Sequence, residues 1–462
     1  MTNHRIYALL LLFAGSCVGF SCNKLLEAPT PGLTMAGVFS DDDGAQSAMS
    51  GVYVTMMNTT RSLMNGSISL DAGLGADELT CSPPPPGYPP EYVFQRDSLT
   101  AGTPLCTGLF TTSYNLIYQL NSLLAGLAGS GGVSAPVKTG LEGEARFSRA
   151  LLYFYLVNLY GDVPLVLTTN YEANNVSPRV ATDSVYAQMV TDLQAAQQLL
   201  PAAYLTGPGF TGDRTRPNQA AATALLARVW LYKGQWAKAE QAASMVIADA
   251  NYQLCGLDSV FGSASPEAIW QLQPVHGSMA TADGYAYLMQ VVAGRPPFVF
   301  TPALLGSVET GDLRQVNWMR SIVYKGQTYF YPYKYKLTMN TPGNAEYEMV
   351  LRLGEQYLIR AEARVRQGNI GGAVDDVNRI RARAGLSATT ASQPAEVLAA
   401  ILQERRIELM TEWGHRWLDL KRTGSIDTVL ITKAGWQSKD TLYPIPASEL
   451  QANPGMLQNP GY

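Results

Sequence analysis

Apolar positions recur at helical spacing along much of this chain, and turn residues cut the pattern into antiparallel pairs. Ser40 followed by Asp41-Asp42-Asp43 marks an N-cap with an acidic first turn, opening a helix over 44–57. Further helices are predicted over 111–128, over 141–160, where Gly161 and Pro164 stop the run, and over 182–200. Two closely spaced pairs follow, 218–250 broken at Lys233-Gly234-Gln235 and 348–384 broken at Gln367-Gly368-Asn369. Between them, 252–347 has short apolar runs separated by many Gly and Pro. It reads as an irregular, partly β insertion. Arg61 to Pro104 reads as loop, and Tyr443 to Tyr462 as a Pro-punctuated extended tail.

The two clear pairs align with each other. Gly234 and Ala239 fall opposite Gly368 and Ala373. A small residue five positions after the turn glycine lets two antiparallel helices approach closely, which is the logic of tetratricopeptide units. The fold class expected is therefore mostly α. Four tetratricopeptide-like helix pairs (about 44–128, 141–200, 218–250 and 348–384) pack as a superhelical scaffold, and the insertion at about 252–347 is mounted on it. Such pairs cannot bury their apolar faces alone and must stack.

The composition, 47% hydrophobic with a formal net charge of -4, allows a large core and gives no basic block for nucleic acid. The N-terminus is a targeting segment. His4-Arg5 precede an apolar run from Ile6 to Phe20, and Gly19-Phe20-Ser21 stand before Cys22. That pattern fits a lipoprotein signal over 1–21, a lipid-modified Cys22 and an N-terminal tether over 22–40. Cys17 is a rival lipidation site, and a plain secretory signal is the alternative. No later segment is long and apolar enough to cross a bilayer. Export permits a disulfide, and Cys81–Cys106 would close a Pro-rich loop, but spacing does not fix the connectivity. With no Cys-x-x-Cys and only His276 and His415 after the leader, no zinc site or other metal or cofactor is expected. The Asp41–Asp43 triplet serves better as a helix start than as a calcium site.

The most charged stretch is Glu404 to Gly424, where nine of 21 residues are charged. Glu404, Arg405, Arg406, Glu408, Glu412, Arg416 and Asp419 alternate with Trp413, Trp417 and Leu420. A catalytic site would need a nucleophile or metal and an acid–base pair converging on a pocket. Glu408 and Glu412 instead share one helix face, and Arg405 and Arg416 can grip carboxylates bidentately. The pattern favours an ion network tying the last repeat to the C-terminal tail, with His415 structural beside Arg416. No nucleophile elbow, phosphate loop or His-Glu-x-x-His is present. Asp77-Glu78 could act on glycosides only with a partner carboxylate about 5–10 Å away. Asp375-Asp376 reads as a solvated face. No catalytic residue is assigned.

Together these strings resemble the SusD/RagB family of Bacteroidetes outer-membrane lipoproteins. The resemblance spans the chain. It rests on Glu404-Arg405-Arg406…Glu408…Glu412-Trp413-Gly414-His415-Arg416-Trp417…Asp419-Leu420-Lys421-Arg422…Gly424 and on Tyr443-Pro444-Ile445-Pro446…Asn459-Pro460-Gly461-Tyr462 within a C-terminal signature over 404–462. It rests also on Arg149-Ala150…Tyr160-Gly161-Asp162-Val163-Pro164 and on Ala361-Glu362-Ala363…Arg381…Arg383-Ala384-Gly385-Leu386. The resemblance implies a surface-exposed outer-membrane protein, anchored by its N-terminal lipid. Such a protein captures a nutrient, commonly a glycan, for a SusC-type TonB-dependent transporter and acts as that transporter's lid. It also implies a ligand site on loops outside the repeats. Sugar rings pack C–H faces on aromatic rings, and Tyr adds a hydrogen-bonding tip. The candidates are Tyr88 and Tyr92 in the Pro-rich loop, and Trp318, Tyr329, Tyr331 and Tyr333 in the insertion. The expected function is nutrient binding without catalysis. A lipid-anchored glycan-degrading enzyme and a protein-binding scaffold are the alternatives.

Overall fold

The computed structural model describes residues 34–58, 62–82, 88–207, 210–277, 279–288 and 296–462. The leader and Cys22 lie outside these residues, as do most of the tether and the prolines at 83–86.

In chain order the main elements are α1 (Asp42–Asn58), α2 (Ser67–Gly75), β1 (Leu79–Cys81), α3 (Pro104–Gly129), α4 (Ala135–Tyr160), α5 (Thr182–Leu199), α6 (Gln219–Tyr232) and α7 (Trp236–Ala248). They continue with β2 (Ala268–Leu272), β3 (Phe298–Phe300), β4 (Met319–Tyr324), β5 (Gln327–Pro332), β6 (Glu348–Arg352), α8 (Leu353–Arg366), α9 (Ile370–Arg383), α10 (Pro394–Glu408) and α11 (His415–Arg422). The fold is mostly helical. The helices pack in sequence as the pairs α1/α3, α4/α5, α6/α7 and α8/α9, each pair leaning on the next, and α10 closes against α8 and α9.

The acidic start of α1 acts as a cap. The Asp41 Oδ1 accepts from the Gly44 N–H at 2.8 Å. Asp42 accepts from the Ser134 N–H at 2.6 Å and from its hydroxyl at 2.8 Å, which staples α1 to the start of α4. The α3 and α4 helices begin earlier than periodicity alone predicts. Pro104 and Pro136 stand in their first turns, where the missing N–H costs nothing. The turn residues Gly234 and Gly368 have φ of +65° and +83°, which only glycine adopts without strain. Ala239 and Ala373 are fully buried, and Ala239 packs against Ile359 and Ala363 of the next pair, as a close-approach position requires. The segment read as loop contains α2, and all nine of its residues are buried. A helix covered on every side carries no amphipathic period, so the pattern could not reveal it.

The insertion is irregular with short antiparallel ribbons. β2 pairs with β6, which runs directly into α8. β1 pairs with β3, and β4 pairs with β5 as a hairpin turned by Lys325-Gly326. Both turn residues have positive φ, +49° and +78°, as a primed two-residue hairpin turn demands. The tail is bound to the end of α4. The Tyr443 N–H donates to the Leu159 carbonyl at 2.8 Å, and the Asn459 side chain donates to the Tyr160 carbonyl at 2.9 Å. Cys81, Cys106 and Cys255 are all free thiols, so no Cys81–Cys106 bridge closes the loop.

Candidate functional site

The charged segment is a buried ion network. Glu408 at the end of α10 accepts from Arg314 at 3.1 Å, from Arg352 at 2.6 Å and from Arg383. Glu412 accepts from Arg352 at 2.7 Å and from Lys334. Glu404 pairs with Arg314 at 2.5 Å and lies 3.4 Å from Arg381. Arg405 holds Asp419 at 2.7 Å, and Arg422 bridges Asp419 at 2.8 Å to Glu362 at 2.7 Å. Burial raises the Glu408 carboxyl, but the guanidiniums of Arg383, Arg352 and Arg314 outweigh it and hold it well below the usual carboxylate range. Burial raises Glu412 too, and Arg352 and Lys334 overcome it. The partners correct the expected connection. These charges run to the insertion (Arg314, Lys334), to Arg352 at the end of β6, to α8 and α9, and to Asp77; the C-terminal tail is held separately by the Tyr443 backbone N–H and the Asn459 side chain.

Asp77 is gripped by Arg416 at 2.6 and 2.9 Å and by Arg406 at 2.7 Å. Its neighbour Glu78 is buried, which pushes its carboxyl up to about 8, with the Asp77 charge adding to the rise. Both carboxylates of that pair are therefore structural. Asp375 is exposed, but Asp376 is buried and paired with Arg360 at 2.7 Å and Arg364 at 2.9 Å, so the doublet is not one solvated face. His415 is buried, and burial together with Arg228, Arg405 and Arg352 keeps its imidazole neutral. The expected Arg416 is not among those causes.

The aromatic candidates separate by exposure. Trp318 is 0% exposed, and its Nε1–H donates to the Leu257 carbonyl at 2.9 Å. Lys334 lies 4.6 Å from its ring centre and the Arg383 guanidinium 5.7 Å, so Trp318 floors the ion network and offers no face to a ligand. Tyr331, 4% exposed, is also core, because the last two residues of β5 are buried. Both are removed as ligand residues. Tyr333 is half-buried with Arg320 4.9 Å and Lys336 5.9 Å from its ring centre, which leaves little free face. Tyr329 is half-buried near the hairpin tip, its hydroxyl donating to the Gln327 Oε1 at 2.8 Å.

Tyr88 and Tyr92 form the best platform. Their rings stack with centroids 3.7 Å apart and planes 6° from parallel, and Tyr88 is 49% exposed. The Arg96 guanidinium lies 5.9 Å from the Tyr92 ring centre. The short helix Tyr92–Gln95 is anchored because the Gln95 Oε1 accepts from the Cys81 N–H at 2.7 Å. β1 pairs with β3, and β3 packs against β5, so the tyrosine pair and the Tyr329 hairpin are braced on one ribbon. Tyr285 on the helix Ala282–Leu288 is a further exposed tyrosine of the insertion that residue type alone does not single out, since exposure leaves no trace in composition.

Two large clefts lie elsewhere, and no candidate tyrosine lines either. One, of about 870 Å³, is lined by α1, by Leu205, Asp213, Thr215 and Arg216, and by the end of β2. The other, of about 800 Å³, lies between the end of α4, the start of α5 and the C-terminal tail.

Two family models match the chain. One, described as the SusD family, covers residues 311–441, and the other, described as starch-binding associating with outer membrane, covers 94–231. SusD-like protein P25 of Formosa agariphila is 25% identical along 99% of this chain and 98% of that protein. A SusD superfamily protein from Bacteroides vulgatus has a crystal structure that superimposes with a TM-score of 0.79 at 22% identity, covering 92% of this chain and 100% of that one. A laminarin binding SusD-like protein superimposes with a TM-score of 0.75 at 24% identity, covering 92% of this chain and 100% of that one.

Trp318→Ala should lower unfolding free energy by about 3–5 kcal/mol, the cost of emptying a large aromatic site. Tyr88→Ala should stay within about 0.5 kcal/mol of the parent, as surface changes do. Urea denaturation of both variants checks this; equal effects would contradict the division between core and platform.

Proposed function

This chain belongs to the SusD family, and on that footing we propose that it is a cell-surface glycan-binding lipoprotein, without catalytic activity, that serves as the lid of a SusC-type TonB-dependent transporter. The observation that carries the ligand class is the exposed, parallel Tyr88–Tyr92 stack. A flat phenol face can take the C–H side of a pyranose ring, while the Tyr hydroxyls and Arg96 meet ring hydroxyls. The similarity of residues 94–231 to a starch-binding, outer-membrane-associating family supports the same choice. So does the resemblance of the whole fold to a structure that binds laminarin.

An open aromatic face suits a polymer, because several weak contacts along one chain add by effective concentration without deep burial. Non-catalytic binding is supported by where the charge goes. Glu404, Glu408, Glu412 and Asp419 are consumed by buried guanidiniums, and Asp77 by Arg406 and Arg416. Lipid on Cys22 would hold the protein at the outer membrane, since more than one acyl chain gives a lasting anchor. Ligand caught on the aromatic face would then be enclosed between lid and barrel.

Replacing Tyr88 and Tyr92 together by Ala should weaken binding of maltohexaose or laminarihexaose at least tenfold, about 1.4 kcal/mol, in calorimetric titration; unchanged affinity for whichever sugar binds would remove the platform from the account. Cys22→Ser should move the protein out of the outer-membrane fraction, and full retention there would contradict the anchor.

A further inference from the structure

We infer that the cleft between the end of α4, the start of α5 and the C-terminal tail is a second saccharide subsite, separate from the Tyr88–Tyr92 platform and selective for an acidic sugar, one carrying a carboxylate or a sulfate ester. Its size, about 800 Å³, lies in the range of small-molecule sites. Its walls are preformed. Arg179 stands opposite Pro164 in a two-residue ribbon just before α5. Its Nε–H donates to the Asp162 carbonyl at 2.7 Å and its Nη1–H to the Leu457 carbonyl at 2.7 Å, which pins the tail in place as one wall. Tyr232 at the end of α6 and Lys421 on α11 line the same space.

Charge selects the class of sugar. Lys421 donates to the Asn158 carbonyl at 2.5 Å and, among the described residues, pairs with no carboxylate. An ammonium has three donors, so this bond leaves two for a ligand. The acceptors of Arg179 are backbone carbonyls and the Asn459 amide oxygen, all neutral. Arg422, the third cation there, is matched by Glu362 and Asp419. Among the described residues one carboxylate lines the cleft, that of Asp162. Its Oδ1 accepts from the Thr182 N–H at 2.9 Å and from the Thr182 hydroxyl at 3.0 Å, so it serves the positive N-terminus of α5. It offsets part of the Arg179 charge and leaves that of Lys421 unmatched. The cleft is therefore net positive, and an anionic group gains more there than a neutral ring.

A second observation points to a ligand. The Tyr232 hydroxyl is buried and has no hydrogen-bond partner among the described residues. Buried tyrosine hydroxyls usually find one, and because Tyr232 lines the cleft a ligand oxygen would supply it. Burial pushes the Lys421 ammonium down to about 7. A bound anion favours its charged form, so binding takes up a proton and weakens as pH rises through that value. The other charged or titratable groups facing the cleft are Asp162, Arg179, Arg422, Tyr186 and Tyr232; burial carries both tyrosines above their ordinary range, away from neutrality. The choice of a sugar rests on the glycan-binding function proposed above; the place and the charge preference of the subsite do not.

Calorimetric titration of the full-length protein tests this. The probes are tetragalacturonate for the carboxylate, a carrageenan-derived tetrasaccharide for the sulfate ester, and maltohexaose as the neutral sugar. An acidic sugar should bind, and which of the two binds names the anionic group. Its affinity should fall roughly tenfold or more in Lys421→Met. It should fall roughly threefold or more in Tyr232→Phe, which loses no internal bond and should keep the parent's melting temperature. In the parent, but not in Lys421→Met, it should also fall between about pH 6 and about pH 9. Tyr88→Ala/Tyr92→Ala should leave it unchanged, and any binding of maltohexaose should be indifferent to Lys421→Met. Binding of neither acidic sugar, or acidic-sugar binding that ignores Tyr232 and pH, would overturn the subsite and leave the platform standing. So would acidic-sugar binding that vanishes with Tyr88 and Tyr92. Failure of all three sugars to bind would overturn the subsite and count against glycan binding itself.

Discussion

A single carboxylate, Glu408, sets the terms for much of this molecule. It is fully buried and meets guanidiniums from three places in the chain: Arg314 beside the hairpin, Arg352 at the end of β6 and Arg383 at the end of α9. Its backbone carbonyl also accepts from Lys334 at 2.8 Å. Taking that many charges out of water is favourable only when every partner is in place, and losing one member of such a set typically costs about 3–5 kcal/mol. The repeats, the hairpin and the closing helix α10 therefore cannot shift independently. Glu412 and Asp419 extend the same constraint, the first to Lys334, the second through Arg422 to Glu362 on α8.

This rigid interior explains how an irregular insertion can hold a fixed outer face. Short ribbons of three to six residues have little stability of their own. Here the insertion is fixed from below by Trp318, enclosed by Lys334, Arg352 and Arg383, and at its margin by the pairing of β2 with β6. The Tyr88–Tyr92 stack and Tyr329 remain outward, and they are the surface proposed for recognition.

The helix pairs were legible because each has one apolar stripe, and because Gly234 and Gly368 must be glycine where φ is positive. The α2 helix was hidden, since a helix buried all round has no stripe to read. The charged segment reads as an ion network, and the structure shows one, but its partners were not foreseen. Arg314 and Arg352 stand far from Glu408 in sequence, and only the fold brings them together. Among the aromatics, residue type could not tell Trp318 and Tyr331 from Tyr88 and Tyr92. A ring that floors a core and a ring that greets a ligand look alike until exposure is known.

The central claim is that the most charged stretch holds the fold and takes no part in binding. Glu408→Gln tests it most directly, with unfolding free energy and oligosaccharide affinity measured on the same preparation. The account predicts a loss of about 3–5 kcal/mol in stability while the folded fraction binds within about twofold of the parent. Full stability with binding abolished would contradict it, and would return Glu404–Gly424 to consideration as the site itself.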